Sequence, residues 1–501
     1  MKASRTRRAS GVAVAIAVAG ALTAPVAHAL PAGAPAVAPV PAKAKKAKPE
    51  DFNGDGYRDV VVPATGATVN GREGAGYVAV LYGSRSGGPL AKKQIVHQDS
   101  AGVPDQVEAG DGFGAATTTG DFDGDGYTDL AVAAPGEDIG TTADAGTVAV
   151  VWGGPKGLSG ATTVMNGATA ADRLGSIGVA GDFDGDGDQD LVVAERNRDL
   201  RQIFGPFGRD GATAGTVIEE NEFKDFGISD LAAGDLNADG RTDLVANQYY
   251  FGDFDGVGSV YRMGTSRGLG AAKGFGDHKF GGSSVDIGDI NKDGYADVVI
   301  GRNDDGSDAS VGLPYIKGGM ITYIPGAAKG PIPARARHFN QDSPGVPGAA
   351  EGPGGPDYSD NFGAGVSIGD VDGDGYGDIA AGVPGESFDG IRDAGAVVVL
   401  RGTKDGPTGK GARVFSQDTP GVPGVAEAED GMGWATTIVD IDGDRRGELF
   451  VGAPNENRRS GAVTVLDGTA SGTTAKGAVT FGAGSLGTHA AKGVLGGGFP
   501  R

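Results

Sequence analysis

Asp121-Phe122-Asp123-Gly124-Asp125-Gly126-Tyr127-Thr128-Asp129 is the stretch that decides how this chain folds. Its carboxylates stand at the first, third, fifth and ninth positions, with glycine at the fourth and sixth. Alternate side chains of such a run turn inward, the glycines permit tight winding, and the position-7 backbone carbonyl can fill a further place. The ninth carboxylate can close the shell with both oxygens. A hard divalent cation that takes six to eight oxygens, Ca²⁺ above all, suits this cage.

Seven such runs occur. The candidate ligands of the first are Asp51, Asn53, Asp55, Tyr57 and Asp59, and of the second Asp121, Asp123, Asp125, Tyr127 and Asp129. The third offers Asp182, Asp184, Asp186, Asp188 and Asp190; the fourth Asp235, Asn237, Asp239, Arg241 and Asp243. Asp289, Asn291, Asp293, Tyr295 and Asp297 form the fifth, and Asp370, Asp372, Asp374, Tyr376 and Asp378 the sixth. Asp440, Asp442, Asp444, Arg446 and Glu448 form the last. Position-7 residues enter through their carbonyls, Asp188 included. The last run departs most, with Arg445 where glycine is expected and Glu448 closing it. Five to seven structural calcium ions per chain are expected.

Glycine (95 residues) and proline (26) are abundant, and the glycines recur in register with the aspartates, which argues for many tight turns. The net charge is −22. Removing the leader proposed below takes it to −26, and seven divalent cations would return it to −12. Much of the acidity is thus ligand charge, and it argues against nucleic acid or an anionic membrane as partner. With no cysteine, no disulfide can staple the fold. Metal can serve instead: a site constant of ~0.1 mM at ~1 mM calcium contributes about 1.4 kcal/mol per site.

Residues 1–29 read as a secretory signal, with Lys2, Arg5, Arg7 and Arg8, an apolar run from Gly11 to Leu22, and Ala27-His28-Ala29 as cleavage site. That run is short and alanine-rich for a membrane span. Residues 30–50 read as a disordered Pro/Ala/Lys linker. Residues 51–488 repeat, and 489–501 are expected to be a flexible tail. A secreted, extracellular, monomeric protein without a membrane span is expected.

Successive loops begin 70, 61, 53, 54, 81 and 70 residues apart. An aromatic-Gly start such as Phe113-Gly114 leads a short small-residue run into each loop. An apolar run follows, as in Asp129-Leu-Ala-Val-Ala-Ala-Pro135, then an alternating strand, Gly146-Thr-Val-Ala-Val-Val-Trp152, and a weaker one near Ala161–Met165. Glycine-bounded runs of four to eight β-prone residues are strands, and no 3.6-residue period is sustained. Four short antiparallel strands repeated seven times predict an all-β, seven-bladed propeller with a calcium loop in each blade. An EF-hand is excluded, because position 12 counted from Asp121 is Val132, inside a strand. The first loop lacks an aromatic-Gly start, whereas Phe481-Gly482 has no loop after it. The C-terminal strand is therefore expected to complete the first blade and close the ring, with Gly487 near Asp51.

These motifs resemble the FG-GAP repeats of integrin α-subunit propellers and of secreted bacterial (VCBS-type) members. The resemblance rests on Phe113-Gly114, Phe226-Gly227, Phe280-Gly281, Phe362-Gly363 and Phe481-Gly482, and on Gly452-Ala453-Pro454 after the last loop, with variants Ala133-Ala134-Pro135 and Gly382-Val383-Pro384. Units three to five depart there, and unit three has Leu174-Gly175. The resemblance implies calcium between the first and second strands of each blade and an extracellular protein or polysaccharide ligand on the opposite face. The DxSxS sequence of an inserted adhesion domain is absent.

Catalytic patterns fare poorly. Two G-x-S-x-G strings, around Ser367 and Ser266, fall where the repeat grammar already explains them, and a nucleophile elbow needs a strand-to-helix turn. His97 and His338 occupy an outer-strand place that Phe415 fills elsewhere; His278 and His489 complete the set outside the leader. The segments Gln98–Pro104, Gln341–Pro347 and Gln417–Pro423 recur between units and read as rigid rim loops. Tyr249, Tyr250, Phe251 and Phe254 read as a packing cluster. The expected function is a non-enzymatic recognition or adhesion scaffold. The alternatives are a carbohydrate-binding, lectin-like propeller and a polysaccharide-processing or ester-hydrolysing enzyme.

Overall fold

The computed structural model describes residues 47–85, 88–219, 226–250, 258–275, 280–304, 316–352, 359–489 and 492–500. The proposed leader, most of the linker and His278 lie outside these, as does the aromatic cluster at Tyr249–Phe254 in its side chains. No described helix is long and apolar enough to cross a membrane.

Seven antiparallel sheets form a ring, and the chain is an all-β, seven-bladed propeller. Blade 1 has three strands, Val60–Ala64, Tyr77–Leu81 and Lys93–Val96. Blade 2 has four: Thr117–Gly120, Asp129–Ala134, Thr147–Val151 and Ala161–Asn166. Blades 3 to 7 follow the same four-strand order, beginning at Gly178, Phe226, Ser284, Val366 and Thr436. In blades 2 to 7 the aspartate loop joins the first strand to the second, and in blade 1 it leads into Val60–Ala64, so the seven loops lie at one end of the barrel of blades. The second-to-third-strand turns and the inter-blade connections lie at the other.

The second and third strands read as unbroken apolar runs because both their faces are covered. Asp129–Ala134 and Glu448–Ala453 are buried at every position. Alternation still sorts the side chains: Val61, Val78 and Val80 pack with Phe113, Leu130 and Val132 of blade 2. Val60, Val62 and Ala79 face the other way, onto Phe450, Val463 and Val465 of blade 7. The core is thus seven inter-blade layers, and the last one joins blade 7 to blade 1.

Two glycines explain the spacing of the repeat. A Cβ on Gly382 would lie 1.7 Å from the carbonyl oxygen of Gly433, and one on Gly452 1.8 Å from that of Gly496. The glycine after one loop lets the aromatic-Gly backbone of the next blade come this close.

Gly496 also shows how the ring closes, and here the sequence expectation needs correction. Phe481-Gly482 ends the outermost strand of blade 7, Thr474–Gly482, paired with Ala462–Asp467. A short helix, Ala483–Leu486, follows, and Thr488 Oγ1 meets the Tyr77 hydroxyl at 2.7 Å. The missing start of blade 1 is Leu495-Gly496. Leu495 bridges Gly461 as Phe362 bridges Gly319 and Met432 bridges Gly395. Residues 492–500 are therefore a packed segment, with Leu495 fully buried, rather than a flexible tail. The signal was missed because leucine stands where phenylalanine was sought. At the other end, order begins before residue 51, for Thr128 Oγ1 donates to the Lys48 carbonyl at 2.7 Å.

Candidate metal loops and the opposite face

Each loop is wound by its own side chains. In all seven, the position-1 carboxylate accepts the position-6 N–H at 2.8–3.1 Å, and the position-5 carboxylate accepts the position-7 N–H at 2.9–3.0 Å. A buried apolar residue at position 2, from Phe52 to Ile441, anchors the loop in the core. The seventh loop conforms despite its sequence. Arg445 takes φ 73°, in the left-handed region, and its N–H bonds Asp440 as the glycines do.

The ninth carboxylate has a structural task the spacing did not reveal. Its one oxygen accepts the N–H of position 2, 2.9 Å from Phe122 to Asp129 and 2.9 Å from Ile441 to Glu448. In the first six loops the other oxygen accepts an N–H from the hairpin after the third strand, such as Gly153 at 2.7 Å from Asp129 and Gly83 at 2.9 Å from Asp59. This residue therefore ties the loop to its blade, and a cation must use its remaining lone pairs.

The clusters gather as a cation cage would require. Ligand oxygens lie within 4.8 Å of one another among Asp121, Asp123 and Asp129, among Asp182, Asp184 and Asp190, among Asp370, Asp372 and Asp374, and among Asp440, Asp442 and Glu448. In the first, fourth and fifth loops Asn53, Asn237 and Asn291 take position 3, and each amide oxygen accepts the position-5 N–H as an aspartate would. Burial, helped by the neighbouring loop carboxylates, raises the ninth carboxyl: to about 8 at Asp129 and Glu448, about 7 at Asp59, Asp190 and Asp378, and about 6 at Asp243 and Asp297. Asp121 Oδ1 is buried with no hydrogen-bond partner among the described residues. Crowded, buried carboxylates with an orphaned oxygen fit a hard cation. Arginines approach four cages: Arg209 reaches Asp123 at 2.6 Å and Asp125 at 2.9 Å, Arg401 meets Asp372 and stands 3.4 Å from both Asp374 and Asp378, Arg446 lies 2.7 Å from Asp444, and Arg241 lies 3.5 Å from Asp239.

Position 7 contributes a side chain as well as a carbonyl. A Cβ on Gly54 would lie 2.6 Å from the Tyr127 ring, one on Gly443 3.0 Å from Tyr57, and one on Gly185 2.8 Å from Arg241. At these three junctions the position-7 residue of one blade thus caps the position-4 glycine of the blade before it, whereas Gly124 has open space around it. Tyr57 on Gly443 carries this belt across the junction of blades 7 and 1.

At the opposite end, a cavity of about 300 Å³ sits on the axis, and every blade contributes to its wall: Ala115, Ser176, Ser229, Ser283, Ala364, Trp434 and Gly497. A second space of about 410 Å³ adjoins it, sharing Trp434 and Phe499. Trp434 is 49% exposed, an unusual place for the largest apolar side chain. The Ser176 and Ser283 hydroxyls are buried with no partner among the described residues. The G-x-S-x-G serines offer no elbow. Ser367 lies in a strand with its hydroxyl 3.0 Å from Thr436 Oγ1, and Ser266 lies in a tight hairpin. His338 is in an outer strand, its Nδ1 3.0 Å from Thr322 Oγ1.

Comparison with known proteins agrees with this geometry. The FG-GAP repeat model matches residues 49–81, 113–151, 174–218, 362–400 and 432–466, which are blades 1, 2, 3, 6 and 7. Rat (Rattus norvegicus) phosphatidylinositol-glycan-specific phospholipase D is 30% identical over 209 residues, 40% of this chain and 24% of that one. Its mouse (Mus musculus) counterpart is 34% identical over 163 residues, 32% and 18% of the two chains. Integrin alpha-PS5 of Drosophila melanogaster is 31% identical over 187 residues, 36% and 17%. The chain spans about a quarter or less of the length of these relatives.

Proposed function

We propose that this FG-GAP repeat propeller is a secreted, calcium-stabilised recognition scaffold without catalytic activity. The observation that carries this reading is the cage repeated in seven blades, its ninth carboxylate buried against backbone N–H groups. Calcium would be held by the residues at positions 1, 3, 5 and 9 and by the position-7 carbonyl. It would neutralise carboxylates that burial otherwise disfavours, and so stiffen the loop end of every blade. Ligand recognition then falls to the other end, where residues of every blade line an axial mouth with an exposed tryptophan.

Trp434 also favours a second reading, saccharide binding. Its flat aromatic face lines the same axial cavity as Ser176, Ser229 and Ser283 of other blades, a wall that combines a stacking surface with polar side chains. A glycan array and a panel of extracellular matrix proteins, each probed with the parent and with Trp434→Ala, distinguish the two. Array signal lost in the variant supports saccharide recognition, and matrix binding lost in the variant supports adhesion. Binding unaffected by Trp434→Ala would remove the axial mouth from the proposal.

A further inference from the structure

The recurring inter-unit segments carry more than rigidity. Gln98, Gln341 and Gln417, the first residue of each, are buried at 3–4% exposure. Each donates its amide N–H to a glutamate in the next blade: Gln98 Nε2 to Glu137 Oε2 at 2.5 Å, Gln417 to Glu456 at 2.5 Å, and Gln341 to Glu386. In all three the amide oxygen Oε1 is buried with no hydrogen-bond partner among the described residues. Two residues before the aromatic- or Met-Gly start of the same blade stands a buried aspartate, Asp111, Asp360 or Asp430. Among the described residues no ion pair reaches Asp111, Glu137, Asp430 or Glu456.

We propose that each Gln–Glu–Asp group is a cation site of a second kind, taking one hard divalent ion of the calcium class and pinning an inter-blade connection to the following blade. Two carboxylates are donors such an ion prefers, and a turn of the glutamine amide, which points its N–H at the glutamate, would bring Oε1 to the same ion, with backbone carbonyls and water to complete the shell. The sites lie at the end opposite the aspartate loops, at the junctions of blades 1 and 2, 5 and 6, and 6 and 7.

Blade 3 supplies an internal control. It keeps the aspartate, Asp172, but has neither the glutamine segment nor the glutamate; by chain position Arg198 stands there. Its neighbour Arg196 bonds Asp172 Oδ1 through Nε at 2.8 Å. Where the chain supplies a cation of its own, the glutamate and glutamine are gone; in blades 2 and 7, where both are present, no ion pair reaches the carboxylates among the described residues. Electrostatics point the same way. Hydrogen bonds from Thr169, Arg196 and Ala168 outweigh burial and hold Asp172 down at about 2. Burial, reinforced by acidic neighbours, pushes Glu137 up to about 8, Asp111 to about 6 and Glu456 to about 7. The charges acting most on Glu137 are Asp111, Asp105 and Glu108, all negative.

The test is calcium binding by equilibrium dialysis of the full chain at millimolar free calcium, reading the difference between parent and variant. Glu137→Gln, Glu386→Gln and Glu456→Gln keep the side-chain shape, and each should bind about one ion fewer, with the triple variant about three fewer. Should the triple variant fail to fold, the single variants carry the test. An unchanged count in the single variants overturns the proposal and leaves each pair sharing a proton instead. Asp129→Asn, measured in parallel, reports on the loops separately, so failure of that reading and failure of this one are distinguishable.

Discussion

Replacing Asp129 by Asn keeps the shape of a fully buried side chain and removes its charge. The carboxylate accepts from Phe122 N at 2.9 Å and Gly153 N at 2.7 Å. An amide has one acceptor oxygen, so one of these N–H groups would face another donor, at a cost of ~1–3 kcal/mol. In ~1 mM calcium the variant also forfeits the linkage of one site, about 1.4 kcal/mol at a constant of ~0.1 mM. A deficit of ~2–4 kcal/mol is therefore expected in calcium. In chelator the parent is less favoured to begin with, because burial raises its carboxyl to about 8 and it is largely protonated at neutral pH. A protonated carboxyl already presents a donor to one of the two N–H groups, so the deficit there should be ~1 kcal/mol or less. Urea unfolding of both proteins in both buffers measures the two deficits. Equal deficits would show that the ninth position serves the blade alone and would refute its part in a cation site.

Other perturbations probe separate links. The ninth carboxyls have folded values raised to about 6–8 from the ordinary carboxylate range, so the chelated folded state binds more protons than the unfolded one. Their contribution is complete below the unfolded value and lost as pH rises through the folded one. The urea midpoint in chelator should fall between pH 5 and pH 8, and a rise across that range would contradict the burial argument. Gly382→Ala, which meets the Gly433 carbonyl at 1.7 Å, should destabilise by ~1–3 kcal/mol or more. Gly154→Ala, with open space around it, is the control, and thermal unfolding should separate the two. Leu495→Ala should cost ~2–5 kcal/mol and deletion of residues 489–501 more, read by the same assay; an unchanged melting temperature would return this segment to the status of a tail.

The fold was legible because the loop and its flanks are local and sevenfold. Asp121–Asp129 dictates its own winding, and the apolar runs beside it could only be strands covered on both sides. Long-range relations stayed out of reach. Nothing near Asp129 announces that Gly153 will donate to it, or that Tyr127 will cover Gly54 of another blade. Closure was misassigned because Phe481-Gly482 matched the motif more closely than Leu495-Gly496, and only the Gly461 bridge separates them. Trp434 was invisible for a different reason: its exposure follows from the small residues of other blades around the axis, which no local pattern encodes.

The central claim is that cations in the aspartate loops hold the ring together. Thermal unfolding of the full chain in 1 mM calcium and in excess chelator, with bound calcium counted by metal analysis, tests it most directly. At least about five loop ions per chain and a large fall in melting temperature on chelation are predicted. Fewer than two ions, or a melting temperature indifferent to chelator, would contradict it.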